Sequence, residues 1–389
     1  MAKRANGEGS IGKYKNGWRS KINIGYDEDG KVIRKEFYGK TQKEVKEKLD
    51  EFRKNNLLDY NIDNDKLTLA QWFYIWLWEF KKREIKPNTF DSYHNVYKNY
   101  IDNNAIGNIE LKKFRNTHLQ KYYNNLYDNG LNVSTIKHIN KRLKTCLNEA
   151  YKQGYIDRNY CSMVTLPKDI SKEQRKTEVL TLEQQQRFID AIKGHKLEML
   201  FLVAISTGLR RGELLGLKWS DIDFDNCSLT VHRTLQKVPM YETNGNKIYT
   251  IVEHEPKTDN SIRTIPLPND ILIRLREYKK EQNTKILKMG ELYQKNDYVF
   301  ADDLGQPINH QRPKDNLRAV LKKLDIEPIK FHGLRKTYAT RLFENDVPPK
   351  TVQALMGHSD ISITMNIYTE VMEEKKYEAV NTLNNIFRL

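Results

Sequence analysis

Along the first 40 residues the chain alternates with a period of two. Trp18, Ser20, Ile22, Ile24 and Tyr26 share one parity, while Arg19, Lys21 and Asn23 take the other, the pattern of a half-buried strand. Runs at Ser10–Tyr14, Trp18–Tyr26 and Lys31–Tyr38 are set apart by Asn16-Gly17 and Asp29-Gly30, dipeptides that favour tight hairpins. Thr41, with Glu44 three residues on, predicts a capped, highly charged helix to about Lys54. Three strands and a helix over residues 1–58 form a small unit of their own, and Asp59–Asp65 is a polar linker.

The period then changes to helical. Leu69, Trp72, Phe73, Trp76 and Leu77 recur on one face, and Ser134–Tyr151 carries Ile136, Ile139, Leu143, Leu147 and Ala150 on another. Residues 66–165 therefore read as an all-helical unit, with the aromatic stripe in its core. Lys137, Lys141 and Lys144 lie off the apolar stripe, as a solvated face or as a row that follows phosphates. Leu166–Lys176 is a second linker, and residues 175–389 are mixed in character. Thr181 with Gln184 caps a helix, Lys196–Ser206 is a buried helix, and Cys227–Val231, Ile248–Glu253 and Arg263–Leu267 read as strands. Asn269–Lys280 and Pro313–Leu324 read as helices; Pro348 and Pro349 open a short one that Gly357 stops. The expected fold class is multidomain α+β: a three-stranded sheet with one helix, an all-helical unit, and a mainly helical unit with a small antiparallel sheet.

Composition narrows the function. Among 389 residues, 66 Lys and Arg against 51 Asp and Glu leave a net charge of +15, with 38% hydrophobic and 30% charged residues. That balance suits a folded soluble chain that meets a polyanion, most naturally nucleic acid. No run approaches the ~18 apolar residues of a membrane span, and Met1-Ala-Lys-Arg is not followed by the apolar run of a secretory signal. Cys146, Cys161 and Cys227 are odd in number and far apart, so neither a disulfide framework nor a zinc site is expected, and a reducing cytoplasm fits. Lys13, Lys15, Arg34 and Lys35 accompany Arg19 and Lys21 in the first unit. Their sheet is either ordinarily solvated or suited to lie in a major groove.

Four segments hold candidate chemistry. In Thr207-Gly208-Leu209-Arg210-Arg211-Gly212-Glu213, a helix break puts Arg210 near a helix start, where N–H groups and a guanidinium can converge on an anion. Glu213 could hold Arg210, and a plain i,i+3 ion pair is the simpler alternative. Lys257 sits in a turn between two strands, where a lysine is ordinarily just solvated. In Phe331-His332-Gly333-Leu334-Arg335 the histidine and arginine share a helical face, pairing a group that titrates near neutrality with a phosphate clamp. Met356-Gly357-His358 places a histidine just past a helix stop, with Tyr368 on the following helix.

Taken in order, Arg210, Lys257, His332, Arg335, His358 and Tyr368 closely resemble the catalytic set of the tyrosine recombinase, or phage-type integrase, family. The motifs are Thr-Gly-Leu-Arg-Arg-Gly-Glu, the strand-turn lysine, His-Gly-Leu-Arg, and Met-Gly-His with Tyr368 ten residues after His358. The resemblance implies a three-domain, arm-binding integrase of a phage or conjugative transposon, in which residues 1–58 hold an arm-type DNA site and 66–165 the core site. It implies Tyr368 as nucleophile forming a 3′-phosphotyrosine, Arg210 and Arg335 as phosphate clamps, Lys257 as general acid, and His332 and His358 as phosphate or proton-transfer partners. No nucleotide or metal cofactor is implied. Double-stranded DNA is the implied partner, bound by a tetramer, with an excisionase and a host DNA-bending protein among the expected helpers. The setting would be the bacterial cytoplasm, at the nucleoid. Lys13, Arg19, Lys21, Arg34, Lys137, Lys141 and Lys144 are the candidate DNA contacts. A type IB topoisomerase shares the chemistry but lacks a reason for the N-terminal sheet. A non-catalytic DNA-binding regulator leaves six residues as coincidences.

The amphipathic tail from Val371, with Tyr377, Val380, Leu383 and Ile386, is expected to pack on its own domain or on a neighbouring protomer.

Overall fold

A computed structural model describes residues 10–15, 17–26, 32–56, 66–102, 104–168, 179–241, 247–254 and 262–382. The chain divides into two compact units, one of residues 1–172 with 238–249, the other of 173–237 with 250–389.

In the first unit, strands β1 (Ser10–Tyr14), β2 (Gly17–Tyr26) and β3 (Val32–Gly39) form an antiparallel sheet in chain order. Helix α1 (Gln42–Asn56) follows. Ser20, Ile22, Val45 and Leu49 are buried, with Ile11 and Phe37 packed against them, which is the parity read from the sequence. Thr41 Oγ1 accepts the Glu44 amide at 3.2 Å, while the Glu44 carboxylate turns back to the amide of Lys40 at 2.8 Å. The reciprocal bond thus falls one residue earlier than in a standard capping box.

The helical part of this unit holds α2 (Leu69–Ile75), α3 (Pro87–Val96), α4 (Asn116–Asp128) and α5 (Val133–Lys152). Thr68 and Gln71 form a reciprocal cap on α2, at 3.3 and 3.0 Å. The chain continues past α2 in wider turns, where the Lys82 amide reaches Leu77 O at 2.9 Å. Trp72, Phe73, Trp76 and Leu77 are buried against the stripe of Ile136, Ile139, Leu143 and Leu147. The Trp72 indole N–H donates to Cys146 O at 3.2 Å, so its one polar atom is satisfied inside the core.

The second unit begins with α6 (Leu182–Ala191), capped by Thr181 and Gln184 through two 3.1 Å bonds. Helix α7 (Glu198–Thr207) is buried on nearly every side, as an all-round apolar helix must be. After α8 (Arg211–Leu215), strands β4 (Ile222–Asp223) and β5 (Ser228–Val231) pair antiparallel. Strands β6 (Thr234–Tyr241) and β7 (Lys247–His254), whose residues 238–249 are counted with the first unit, pair with each other, and β8 (Arg263–Pro266) completes a sheet of order β4-β5-β8.

The sequence reading missed β6, whose Pro239 argues against a strand. In a two-stranded ribbon a proline needs only an edge that makes no ladder bond. Helix α9 (Asn269–Met289) outruns its expected end at Lys280. Only Leu272 and Leu275 are buried, so the later turns, although they hold Ile286 and Leu287, bury no apolar residue and persist on good helix formers. Helices α10 (Arg312–Lys323), α11 (Phe331–Glu344), α12 (Pro349–Met356) and α13 (Ile361–Thr382) close the unit. The tail expected from Val371 continues α13 as far as Thr382; Leu383 and Ile386 lie outside the described residues. Among the described residues no helix is long and apolar enough to cross a membrane.

Gly208 ends α7 in the left-handed region at φ 62°. A Cβ there would lie 2.5 Å from Tyr338 Cδ1 and 3.2 Å from Met356 Sδ. Gly208→Ala combines ~1–2 kcal/mol of backbone strain with overpacking of ~1–3 kcal/mol. Equilibrium denaturation should show a loss of about 2 kcal/mol or more; wild-type stability would mean that the αL geometry is not required.

Candidate active site

The charged side chains gather where three helix ends approach each other. Gly208 turns the chain out of α7, and Arg210 occupies the position before α8. Gly357, at φ 61°, ends α12 and delivers His358. Helix α11 presents His332 and Arg335 from its first turns.

Arg335 is 1% exposed. Its Nη1 donates to Gly208 O at 2.6 Å and its Nη2 to Met356 O. Both acceptors are carbonyls at helix C-termini, where the backbone lacks partners and the dipole favours a cation. Burial, then the charge of Arg210, pushes the guanidinium down to about 9, so it stays charged at neutral pH. Arg210 donates from Nη1 to Glu213 Oε1 at 2.7 Å and from Nη2 to Gly357 O at 2.9 Å.

Glu213 is the acid of the cluster. Burial alone would raise its carboxyl, but the Arg263 bonds, with the charges of Arg263 and Arg210, outweigh this and hold it at about 2. Its ion pair with Arg210 has the i,i+3 spacing expected, but it is not a surface pair: Glu213 is 8% exposed.

The His358 Nδ1 lies 2.9 Å from Thr364 Oγ1, and Thr364 is fully buried. Burial, helped by the charges of Arg335, Arg210, His332 and Arg263, depresses His358 to about 4. His332 is exposed as a residue, yet desolvation and then the charges of Arg335, Lys336 and Arg210 lower its pKa too. Both rings are therefore neutral at pH 7. Tyr368 lies one turn beyond Thr364 on α13, half-buried, with its ring 5.2 Å from Phe343 edge-on.

Of the six residues expected to act together, Arg210, His332, Arg335 and His358 are thus in one electrostatic cluster, and Tyr368 is on the adjoining helix. Lys257 lies outside the described residues. Among the described residues, no three His, Cys, Asp or Glu stand together as a metal-holding group.

Two residues escaped the sequence reading. Thr364 had only its spacing, six after His358 and four before Tyr368, to mark it. Arg263 had a clearer signal: it shares strand parity with Ile265 and Leu267, so the pattern points it inward, and a buried charge requires a partner.

The candidate DNA contacts fall on both faces of the sheet and on one face of α5. Arg19 and Lys21 lie opposite the α1 side of the sheet, where Lys21 Nζ is 3.0 Å and Arg19 Nη1 3.4 Å from Glu36. Arg19 also stacks 4.1 Å over Tyr14. Arg34 pairs across from Asn23 on that side. Lys13 pairs with Trp18 instead, so pairing register puts it on the other face, apart from the three. Lys137, Lys141 and Lys144 are all exposed on α5, in one row at spacings of four and three. Arg142, not singled out from sequence, lies beside them, 4.2 Å over the Tyr93 ring and 3.2 Å from Ser92 Oγ.

Comparison with known proteins defines the class. Residues 178–375 match the phage integrase family, and 68–127 match its N-terminal SAM-like domain. A "tyrosine recombinase XerC-like" protein of Caldanaerobacter subterraneus subsp. tengcongensis is 41% identical over the whole of both chains. The ICEBs1 integrase of Bacillus subtilis is 25% identical over 76% of this chain and 79% of its own. Among solved structures, the Tn1549 transposon integrase in complex with transposon right end DNA superposes at a TM-score of 0.64 with 21% identity, covering 80% of this chain and 99% of that one. A lambda integrase tetramer bound to a Holliday junction matches at 0.56 with 20% identity, over 95% and 97%; these two establish likeness of fold. The chain belongs to the phage integrase family. Its activity is that of a tyrosine-type site-specific recombinase, which cleaves and rejoins DNA.

The packing of His358 has a measurable consequence. Its folded pKa is depressed below the ~6.5 of a free imidazole, so its share of stability is full above that value and declines as pH falls towards 4. In an NMR titration, the ring signal assigned through a His358→Gln variant should have its midpoint well below that of a free imidazole. A midpoint at or above that of free imidazole would refute the packed geometry.

Proposed function

We propose that Tyr368 is the nucleophile of this recombinase and that Arg210, Arg335, His332, His358 and Lys257 complete its catalytic set. The observation that carries the reading is the convergence of two guanidinium groups and two neutral imidazoles beside the helix that bears Tyr368. Tyr368 Oη attacks the scissile phosphorus and loses its proton, the bond to the 5′ oxygen breaks, and a 3′-phosphotyrosine forms. Lys257 protonates the departing 5′ oxygen as general acid. Arg210 and Arg335 stabilise the charge that builds on the non-bridging oxygens of the pentavalent transition state. His358 and His332, neutral in this setting, hydrogen-bond the phosphate or take the tyrosine proton. The 5′ hydroxyl of the partner strand then reverses the reaction on the phosphotyrosine. One phosphodiester is exchanged for an ester of similar energy, so the scheme uses no nucleotide and no metal cofactor.

Residues 66–165 and the catalytic domain, 175–389, would grip a core-type site, with Lys137, Lys141 and Lys144 on phosphates. Residues 1–58 would hold an arm-type site through the face of Arg19, Lys21 and Arg34. A tetramer on DNA is supported by the lambda integrase tetramer bound to a Holliday junction. The resemblance to the ICEBs1 and Tn1549 integrases supports a mobile element as the substrate, with an excisionase and a DNA-bending host protein setting direction. Such an enzyme works in the cytoplasm, at the nucleoid.

Tyr368→Phe tests the central role. The variant keeps the ring that packs on Phe343, so folding and DNA affinity should be retained, while a nicked suicide duplex should yield no protein-linked strand on a denaturing gel. Tyr338→Phe and Tyr377→Phe serve as controls that still form adduct. Adduct from Tyr368→Phe at the wild-type rate would move the nucleophile elsewhere. Removing residues 1–65 should spare cleavage at an isolated core site and abolish integration into full sites; normal integration by the truncated chain would refute the arm-site role.

A further inference from the structure

We propose that Arg263, a residue outside the catalytic set above, is a positioning residue that sets Arg210 and the His358 turn against the scissile phosphate by way of Glu213. The proposal rests on the reading of Arg210 as a phosphate-binding group, and it adds the device that holds that group in place.

The geometry is a closed ring. Arg263 enters from β8 on the inward parity and is 8% exposed. Its Nη2 donates to Glu213 Oε2 at 2.8 Å, its Nη1 to Glu213 Oε1 at 3.2 Å, and its Nε to Leu355 O at 2.9 Å. Glu213 accepts from the other side as well: Oε1 takes Arg210 Nη1 at 2.7 Å and Oε2 takes the Arg210 amide at 2.9 Å. Each carboxylate oxygen therefore receives one bond from each arginine. The ring closes through Arg210 Nη2, which donates to Gly357 O at 2.9 Å, two residues beyond the Leu355 carbonyl that Arg263 holds.

Contact with the turn is just as close. A Cβ at Gly357 would lie 2.9 Å from Arg263 Cδ, 3.0 Å from Nη1 and 3.1 Å from Nε. The guanidinium thus lies flat against the glycine that delivers His358, and only a residue without a side chain admits it. Arg263 fixes three things at once: the charge and rotamer of Glu213, through it the aim of Arg210, and the path of the backbone into His358.

Simple neutralisation of a buried carboxylate is the competing role, and it makes a different demand. Any cation neutralises, so lysine would serve; the ring needs the planar fork, which lysine lacks. Chemistry at the phosphate also separates the two. A methylphosphonate at the scissile position replaces one charged non-bridging oxygen with methyl, so its transition state depends less on a correctly aimed guanidinium.

The experiment uses the full chain and suicide duplexes carrying either a phosphodiester or a methylphosphonate, with covalent adduct followed under single-turnover conditions. Arg263→Lys should unfold cooperatively and bind DNA as the wild type does, yet cleave the phosphodiester about 100-fold more slowly, the loss expected when one aimed donor is displaced. Most of that deficit should disappear on the methylphosphonate. Should Arg263→Lys not fold, Glu213→Gln, which keeps shape and breaks the same ring, must show the same recovery. An equal deficit on both substrates, or a wild-type rate on the phosphodiester, overturns the proposal. Arg210→Ala separates this from the underlying reading. If it recovers on the methylphosphonate and the ring variants do not, Arg263 is structural only; if Arg210→Ala itself does not recover, the assignment of Arg210 to the phosphate fails first.

Discussion

The second unit is organised around the need to keep several cations close together and partly out of water. Guanidinium groups held this close together repel each other, and burial adds a desolvation cost. Glu213 is the chief answer. Its carboxylate bridges Arg210 and Arg263 while its own pKa is held at about 2, so one fixed negative charge offsets two positive ones. Truncating such a carboxylate leaves uncompensated charge in the interior, which is far more damaging than replacing a surface pair.

The remaining cation is stabilised by backbone. Among the described residues Arg335 has no carboxylate hydrogen-bond partner; it takes the carbonyls of Gly208 and Met356. Both lie at C-terminal ends of helices, where carbonyls are otherwise orphaned and the helix dipole is negative. The two left-handed glycines make this possible, because each turns the chain sharply and leaves its carbonyl end open to a side chain. Arg335 therefore serves the helix ends as a cap and the helix ends serve it as a counter-charge, so stability and the geometry of the site have the same origin.

Charge in the first unit is handled by exposure instead. Lys137, Lys141 and Lys144 point away from a stripe of fully buried aliphatic residues on α5, and no burial cost attaches to them. On the sheet, Glu36 partly offsets Arg19 and Lys21, which keeps three neighbouring cations tolerable on a small domain. Such surface pairs contribute little to stability and cost little to break.

How much of this was legible in the sequence follows from where the information lies. Period-two and helical patterns located the sheet of residues 10–39, the capped starts at Thr41 and Thr181, the buried α7 and the glycine stops, because each depends on residues near in the chain. The motif strings likewise placed Arg210, His332, Arg335 and His358 at helix ends, since each string has its own local logic. Strand β6 was hidden by Pro239, which is acceptable only because of where the ribbon has its edge. The end of α9 was hidden because its last turns bury nothing. Arg263 matters through a partner far away in sequence, Glu213, 50 residues off; Thr364 is only six residues from His358, but no local pattern in the string announces that bond. Sequence by itself determined the elements, the charge and the chemistry of the side chains. Tertiary structure alone decided which charges are buried together, and therefore which are paired, which are neutral and which stay exposed.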